Sequence, residues 1–458
     1  LVLRVYRSLL AGRHVVLSGP PGTGKTELAK RLPMILWREE PRTVQRLATG
    51  LDQPPVVEIT LERHGYKPIV VTATEDWGVR DVVGGIAPRL SDQTNGLSYD
   101  IQHGHLTRVI LQHFDGTDDG HTLPQDVRRL QRREYQAADD KDRRYRGAWL
   151  VIDEFTRAPV DAAFGSLLTT LGSQDGAVLS VPAGDFSEVP VPLPRDFRII
   201  GTLNSFDRHF LNQMSEAMKR RFDFIDVPPP GPHLADFEQG SAVLKALRTL
   251  HRNGFAAIVE VPGPQRVSWP GVIEIEVVPD ADGVARYRLG ALDPAAAAAL
   301  ESFWRIFAAI RVFRQLGTAQ AIAVYTNLFT GVLVGMSWPE ALDTALADSL
   351  ADQLQVLTRD EQRMLEMYLE YTQDAALFAR EVGRILEQVP QGRRPSLLYA
   401  LREAEQLRSG TSTITTRAEH TLSADELRRV FGLDQALVLP SPSVFRRRLH
   451  DLINERGL

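Results

Sequence analysis

The chain has 458 residues, and its 53 basic and 58 acidic residues give a formal net charge of −5, which does not by itself predict a nucleic-acid-binding protein. At about 150 residues per domain the length predicts about three domains, and 43% hydrophobic residues exclude a disordered chain. The absence of cysteine excludes disulfides, cysteine nucleophiles and cysteine-ligated metals. No apolar run reaches the roughly 18 residues of a membrane span. We therefore expect a cytoplasmic protein without a membrane partner.

The first half of the chain alternates short apolar segments with helical ones. Residues 1–10 contain two arginines and lead into a strand, so no signal peptide is expected. Five apolar segments are predicted as strands: residues 14–18, 69–72, 149–152, 197–202 and 224–227. Continuous apolar strands separated by helices favour a parallel sheet covered by helices on both faces. The sequence therefore predicts an α/β domain over residues 1–230, in which Pro33 ends the helix that begins at Lys25.

Two segments of this domain look like insertions. Residues 90–105 place turn-forming residues between apolar ones, as in a β-hairpin. Residues 115–147 are dense in arginine and aspartate, which is typical of a solvated charged helix or loop, with a nucleic-acid or partner contact as the alternative. The arginines of this second segment are Arg128, Arg129, Arg132, Arg133, Arg143, Arg144 and Arg146.

The second half of the chain is predicted to be largely helical. Residues 231–292 form an α+β insert of unknown role, because residues 272–278 alternate as a strand, a turn follows, and residues 284–289 can pair back. Residues 293–410 carry apolar residues at helical spacing and two capping boxes, which predict a bundle of helices. Residues 411–458 are predicted as a linker and a C-terminal helical extension.

The strongest motif follows the first predicted strand. It consists of Gly19, Pro20, Pro21, Gly22, Thr23, Gly24, Lys25 and Thr26, which fit the phosphate-loop pattern Gly-x4-Gly-Lys-Ser/Thr. Its glycines let backbone N–H groups converge on phosphates, and the N-terminus of the following helix adds a positive dipole. We expect Lys25 to reach the β- and γ-phosphates of a nucleotide and Thr26 to bind Mg²⁺.

A second motif closes the third predicted strand, where Asp153 and Glu154 follow an apolar run. Parallel sheets bind their ligands at the carboxyl ends of the strands. We therefore expect Asp153 to hold Mg²⁺, directly or through water, and Glu154 to polarise the water that attacks the γ-phosphate. Solvated carboxylates would be the simpler interpretation of this motif alone, but the phosphate loop earlier in the chain favours the catalytic one.

With these motifs the chain resembles AAA+ NTPases, and within them the branch with a hairpin inserted in its second helix. That branch includes MoxR-type ATPases, dynein-type modules and McrB GTPases. The resemblance covers roughly residues 10–230 and rests on residues 19–26, on Ile-Asp-Glu-Phe-Thr-Arg-Ala-Pro at 152–159, on Gly-Thr-Leu-Asn-Ser-Phe-Asp-Arg at 201–208 and on residues 214–224. It implies a P-loop NTPase domain followed by a helical lid, a ring-shaped homo-oligomer, and Mg²⁺ with ATP or GTP as substrate.

The resemblance also assigns roles to three residues. Asn204 corresponds to sensor 1, a polar residue that orients the attacking water. Arg221 corresponds to the arginine finger that reaches the nucleotide of a neighbouring subunit, and Arg220 is the adjacent candidate. A guanidinium there can neutralise charge on the γ-phosphoryl group, whereas two solvated arginines at a helix end are the alternative interpretation.

Two further features bear on the subgroup. Asp207 and Arg208 complete an Asn-x-x-Asp-Arg sequence that resembles the signature of McrB-like proteins, with a local salt bridge or helix cap as the alternative. Gln320 stands where related proteins carry the sensor 2 arginine, so either Arg311 or Arg314 replaces that arginine or the charged contact is absent.

The leading hypothesis is therefore an oligomeric AAA+ ATPase whose nucleotide turnover remodels or moves a protein or nucleic-acid partner. The first alternative is a McrB-like GTPase motor subunit of a modification-dependent restriction system, which would act with a nuclease subunit. The second is a nucleotide-gated scaffold with little hydrolysis.

Overall fold

The computed structural model describes residues 1–40, 42–47, 56–90, 97–114, 132, 136–137, 143–167, 171, 178–182, 188–204, 214–280, 284–409 and 422–455. The chain divides into two compact units. The first contains residues 1–20 and 24–227, and the second contains residues 21–23 and 228–458.

The first unit contains thirteen named strands and six helices among its described residues. The strands are β1 His14–Gly19, β2 Arg42–Leu47, β3 Val56–His64, β4 Lys67–Thr72, β5 Gly84–Leu90, β6 Leu97–His103, β7 Gln136–Ala137, β8 Arg143–Tyr145, β9 Ala148–Asp153, β10 Val178–Pro182, β11 Glu188–Pro192, β12 Ile199–Asn204 and β13 Phe222–Asp226. The helices are α1 Val2–Leu10, α2 Lys25–Ile35, α3 Val79–Val82, α4 His105–Leu111, α5 Val160–Phe164 and α6 Glu216–Lys219.

A five-stranded parallel sheet forms the centre of the first unit, in the order β13-β1-β12-β9-β4. Side chains alternate between its two faces. Val15 and Leu17 of β1 pack with α1 and α2 in one hydrophobic core, whereas Val16 packs in a second core with α4 and α5. The three inner strands β1, β12 and β9 are buried on both sides, which explains their continuous apolar runs, whereas the edge strands β4 and β13 are partly exposed. The predicted parallel sheet covered on both faces is confirmed.

The helix α2 continues past Pro33 to Ile35, so the prediction that Pro33 ends it is wrong. A proline removes the hydrogen bond to the carbonyl four residues before it and disturbs the turn that precedes it. Only the last turn of α2 is affected here, and the helix ends two residues later. The Pro33 carbonyl is used outside the helix, where it accepts a hydrogen bond of 2.8 Å from the backbone N–H of Tyr66.

The predicted insertions form strands in their described parts. β5 and β6 pair antiparallel, as the hairpin prediction requires, although β5 begins at Gly84 rather than near residue 90. In the Arg-rich segment, β7 and β8 join β2 and β3 in a four-stranded sheet, and β8 pairs parallel with β3. The expectation of a charged helix or loop is therefore wrong for residues 136–137 and 143–145, whereas Arg128, Arg129 and Arg133 lie outside the described residues.

The second unit begins with a helix and a four-stranded antiparallel sheet. The helix is α7 Ala235–Leu250, which a π-helical turn extends to Phe255. The strands are β14 Glu260–Gly263, β15 Arg266–Trp269, β16 Ile273–Pro279 and β17 Ala285–Ala291, in sequential order. The predicted strand–turn–strand pairing is present between β16 and β17. Buried residues of α7 and of this sheet belong to the same hydrophobic core as the helices that follow, so residues 231–292 do not form a separate piece.

The remainder of the second unit is helical. Its helices are α8 Pro294–Ile310, α9 Thr318–Leu333, α10 Trp338–Leu354, α11 Arg359–Glu370, α12 Ala375–Gln388, α13 Arg394–Ser409, α14 Ala424–Phe431 and α15 Val444–Glu455. The two capping boxes expected from sequence are present, with Ser337 and Glu340 at the start of α10 and Thr358 and Glu361 at the start of α11. Along the described ranges, no helix combines the length and apolar character needed to cross a membrane.

Candidate functional site

The central sheet brings three predicted site segments to one edge. Gly19, the last residue of β1, is in register with Asn204, the last residue of β12. On the other side of β12 lies β9, which ends at Asp153. Because the three strands are parallel, their carboxyl ends share one edge of the sheet. The start of the phosphate loop, the sensor 1 candidate and the second motif therefore lie along that edge.

Two glycines of the phosphate loop have backbone conformations that other residues rarely adopt. The φ angle is +79° at Gly22 and +83° at Gly24. A Cβ atom at Gly24 would meet no atom within 4 Å, so the backbone angle rather than crowding is what requires glycine there. Gly24 is also the N-cap of α2, which places the loop directly at the N-terminus of that helix. Such a terminus attracts anions.

The ammonium group of Lys25 is held by carbonyl groups at the start of the loop. Its side chain is buried, with 7% of the residue exposed. Nζ donates hydrogen bonds to the carbonyl oxygens of Gly19, at 3.0 Å, and Pro20, at 2.7 Å. These carbonyls offset the cost of burying a cation. They also fix the charge in the loop that the sequence predicts to bind phosphates.

The predicted Mg²⁺ ligands lie in direct contact. Thr26 Oγ1 donates a hydrogen bond of 2.7 Å to Asp153 Oδ1, and the buried hydroxyl of Thr202 donates to the same oxygen. Hard oxygen ligands suit Mg²⁺, which usually takes one or two protein ligands and completes its shell with water and substrate phosphates. In the part of the chain that the structure describes, no group of three or more His, Cys, Asp or Glu residues is arranged to hold a metal. Thr26 and Asp153 place two such oxygens within hydrogen-bond distance of each other.

Glu154 adopts a left-handed backbone conformation, with φ 55° and ψ 43°. It is the one non-glycine residue with positive φ among the described ranges. Its N–H donates to Thr202 Oγ1 at 3.3 Å, and its carboxylate forms an ion pair of 2.8 Å with Arg157 in the 3₁₀ turn that follows. For a residue with a Cβ atom this conformation costs roughly 1–2 kcal/mol, and such strain is concentrated at functional sites. The 3₁₀ turn Phe155–Arg157 follows directly after Glu154.

The two arginines at the end of α6 differ in exposure. Arg220 is exposed, and within the described part of the chain its guanidinium has no ion-pair or hydrogen-bond partner. Arg221 is half-buried, and its guanidinium folds back to donate to the carbonyl of Ala217. Arg13 holds this segment by donating to the carbonyls of Arg220 and Phe222 and by pairing with Asp223 at 2.8 Å. Of the two, Arg220 is the one whose guanidinium projects from the first unit.

Several residues that contact the site had no clear signal in the sequence. Thr202 contacts Asp153. Its position as a polar residue within an apolar strand is the one feature of the sequence that could have indicated this contact. Arg157 contacts Glu154, and Arg13 contacts the carbonyl of Arg220. The sequence did not indicate these two contacts, because arginines at surface turns are common. Asp161, in the first turn of α5, accepts hydrogen bonds from Ser215 at the N-cap of α6.

Asp207 and Arg208 lie outside the described residues. In the Arg-rich segment, Arg132 forms two hydrogen bonds of 2.8 Å with the carboxylate of Asp196. Burial would raise the pKa of Asp196, but these bonds and the charge of Arg132 lower it to about 2. Arg132 is therefore used for a contact within the first unit.

In the second unit, Gln320 lies in the first turn of α9. Arg311 makes two hydrogen bonds of 2.7 Å to the buried carboxylate of Glu238. The same carboxylate accepts a hydrogen bond of 2.6 Å from Thr318. Arg314 donates to the side chain of Gln353 at 2.9 Å. Both arginines considered as replacements for sensor 2 are thus engaged inside the second unit.

Parts of the chain are similar to known protein families. A sequence profile of the AAA domain (dynein-related subfamily) matches residues 56–222, and one of magnesium chelatase, subunit ChlI, matches residues 5–49. Over 228 residues the chain is 25% identical to the type IV methyl-directed restriction enzyme EcoKMcrB subunit of Escherichia coli (strain K12). That match covers 49% of this chain and 37% of the relative. The chain thus spans a little over a third of the length of that relative.

Among solved structures, NtrX from Brucella abortus matches 94% of this chain and 66% of its own, with 12% identity and a TM-score of 0.40. The ORC2 protein of Aeropyrum pernix matches 99% of this chain and 92% of its own, with 12% identity and a TM-score of 0.31. These TM-scores are low and carry no argument. The similarity rests instead on the profile match: residues 56–222 are similar to AAA domains of the dynein-related subfamily, and the phosphate loop precedes them in the chain.

Proposed function

We propose that the chain is a subunit of an oligomeric AAA+ ATPase and that it hydrolyses ATP where β1, β12 and β9 end. The observation that supports this most directly is the contact between Thr26 and Asp153. It brings the two expected Mg²⁺ ligands within 2.7 Å of each other, immediately before Glu154 in the chain. A scaffold that only bound nucleotide would not need a carboxylate held in a strained conformation after the metal ligand.

Each residue then has one task. Lys25, the loop N–H groups and the N-terminus of α2 bind the phosphates. Thr26 and Asp153 would hold Mg²⁺, which would supply positive charge to the phosphates. Glu154 takes a proton from the attacking water, and Asn204 at the end of β12 orients that water. Phosphoryl transfer needs positioning and charge stabilisation more than covalent chemistry, and these groups supply both.

We assign the arginine finger to Arg220 in preference to Arg221. A finger must extend from its own subunit to a neighbour's nucleotide, and the exposed Arg220 is free to do so. Arg221 is held against its own helix by its bond to the carbonyl of Ala217. Mutating each arginine separately to alanine tests the assignment, because the finger variant keeps nucleotide affinity and loses turnover. In related phosphoryl transfers a finger contributes about 10³-fold or more to the rate.

The proposal also concerns which nucleotide is hydrolysed and which partner the protein acts on. The relative named above is a restriction subunit. This similarity supports the alternative hypothesis, in which the chain is a motor that acts with a nuclease and uses GTP instead of ATP. Turnover measured with each nucleotide at matched concentration decides between the two. We propose a protein or nucleic-acid substrate that is moved or remodelled, and stimulation of turnover by that substrate is the expected sign of coupling.

The central test compares two variants. Lys25→Ala should lose nucleotide binding, because it removes the ammonium that the loop carbonyls fix for the phosphates. Glu154→Gln should keep nucleotide affinity and lose turnover, because an amide keeps the shape of the side chain but cannot accept the proton. Binding is measured with a fluorescent nucleotide, and turnover by phosphate release. Glu216→Gln, on the exposed side of α6, is the matched control.

If Glu154→Gln turns over at the unmodified rate, the role of Glu154 is wrong. If the unmodified protein binds nucleotide but hydrolyses none, either alone or with candidate partners, the hypothesis of a nucleotide-gated scaffold replaces the hypothesis of an ATPase.

A further inference from the structure

A carboxylate on α5 holds the start of the helix that precedes Arg220. Asp161 Oδ2 accepts a hydrogen bond of 2.7 Å from the backbone N–H of Ser215, and Asp161 Oδ1 accepts one of 2.5 Å from the Ser215 hydroxyl. Ser215 is the N-cap of α6, and its Oγ accepts a hydrogen bond from the N–H of Met218 at 3.3 Å. One side chain therefore fixes both the backbone and the hydroxyl of the cap.

The helix α6 depends on such contacts because it has only four residues. A helix of this length is not stable by itself, since nucleation fixes several residues for few hydrogen bonds. Met218 is fully buried and anchors the middle of the segment. Arg13 holds the far end through the carbonyl of Arg220. The cap bonded to Asp161 is the corresponding attachment at the near end, so it helps to set the direction in which Arg220 leaves the surface.

Asp161 also belongs to the segment that follows the catalytic carboxylate. It lies seven residues after Glu154, and only the 3₁₀ turn Phe155–Arg157 and the residues Ala158 and Pro159 separate Glu154 from α5. The segment is anchored by Phe155 and Val160, both buried in the core of the first unit. The position of the chain after Glu154 is thus joined through one carboxylate to the helix that presents Arg220.

We infer that Asp161 is a positioning residue for the arginine that serves the neighbouring subunit. It acts through Ser215 and α6. Its loss should leave the subunit's own site intact and impair the site of the neighbour. This inference rests on the proposed function, because it requires that Arg220 acts between subunits.

The test uses mixtures in which each protein has one defect. Arg220→Ala supplies an intact site without a finger, and Lys25→Ala supplies a finger without a site, so their mixture should hydrolyse ATP. Introducing Asp161→Ala into the finger donor should reduce this rescue by about 10²-fold, the size of effect expected when a catalytic group is displaced by about 1 Å. Introducing Asp161→Ala into the site donor instead should leave the rescue unchanged.

Two controls distinguish positioning from a general structural defect. Glu216→Ala in the finger donor changes an exposed residue of the same helix and should not affect rescue. Nucleotide affinity and far-ultraviolet circular dichroism of the single Asp161→Ala protein should match those of the unmodified protein. Asp161→Asn, which retains an acceptor oxygen, should restore part of the rescue.

Full rescue by the Lys25→Ala/Asp161→Ala finger donor overturns the inference. An equal loss of rescue when Asp161→Ala is placed in the finger donor and when it is placed in the site donor also overturns it, because that result would indicate damage to the whole domain. Failure of Lys25→Ala itself to rescue Arg220→Ala is a different result. It would overturn the trans-acting finger of the proposed function, and the inference with it.

Discussion

His14, at the start of β1, is a neutral histidine enclosed by the first unit. Its ring contacts those of Phe197 and Phe222, and its Nδ1 accepts a hydrogen bond of 3.1 Å from the N–H of Ile199. Burial, followed by the positive charges of Arg198, Arg13 and Arg221, lowers the pKa of His14 to about 3. The folded protein therefore keeps this ring neutral at a pH where the unfolded chain protonates it.

This difference predicts a loss of stability in mild acid. Below the unfolded pKa of about 6.5 the unfolded state gains a proton that the folded state does not, so the free energy of unfolding falls as the pH decreases. Between pH 7 and pH 5 the loss from this group should be about 2 kcal/mol. Urea unfolding at both pH values should show a smaller loss in His14→Asn than in the unmodified protein. The same substitution at the exposed His233 is the matched control, and an equal effect of both variants would contradict the prediction.

At the residue scale the sequence locates the motifs but not the backbone conformations of their residues. The phosphate loop and the Asp153–Glu154 pair follow from local patterns, because a glycine-rich turn between strand and helix is specified by adjacent residues. The left-handed backbone of Glu154 could not be predicted, since it is stabilised by contacts with Thr202 and Arg157 that depend on the folded turn. Which of Arg220 and Arg221 is exposed also depends on tertiary packing.

The helix α15 starts at a buried carboxylate from another helix. Asp343 of α10 is 1% exposed, and it accepts hydrogen bonds from the Ser443 hydroxyl, from the N–H of Val444 at 2.6 Å and from the N–H of Phe445 at 3.1 Å. It therefore satisfies N–H groups that no intrahelical carbonyl can reach, and its negative charge faces the positive end of the helix dipole. This side chain fixes α15 to the helical part of the second unit.

Asp343→Ala should destabilise the docking of α15 by about 2 kcal/mol, because it removes a cap and leaves buried N–H groups unsatisfied. Hydrogen exchange should accelerate at the amides of α15 while those of β1 remain protected. Asp348→Ala is the matched control, since Asp348 lies on the same helix and makes an exposed pair of 3.5 Å with Arg448 of α15. That pair should contribute less than about 1 kcal/mol. Equal exchange in the two variants would show that the cap is not what holds α15.

At the level of elements, sequence patterns located the five central strands because each reads as a short apolar run, and the three inner ones are buried on both faces. The same reasoning failed for residues 136–137 and 143–145, which look hydrophilic. β8 is a strand because it pairs with β3, about 80 residues earlier in the chain. A pairing at that separation leaves no local pattern, and charged residues on a small sheet resemble those of a solvated loop.

For the whole molecule, the proposed finger predicts activity that depends on protein concentration. A site completed by a neighbour's Arg220 forms only in the assembly, so turnover per subunit should rise as the protein is concentrated and should reach a plateau. Phosphate release measured over a hundredfold dilution series, alongside sedimentation of the same samples, checks this. Arg220→Ala should assemble normally and show low turnover at every concentration. Constant turnover per subunit down to the monomer would exclude a shared site.

The backbone of Glu154 has a consequence for the history of such a sequence. Glycine would adopt this left-handed conformation without a steric penalty, so the folded chain keeps glutamate at a cost of roughly 1 kcal/mol or more. A duplicated gene that no longer needed turnover would gain stability by losing this side chain, which makes position 154 an early site of drift in inactive copies. Under the proposed function, the chemistry requires glutamate at a position where the backbone favours glycine.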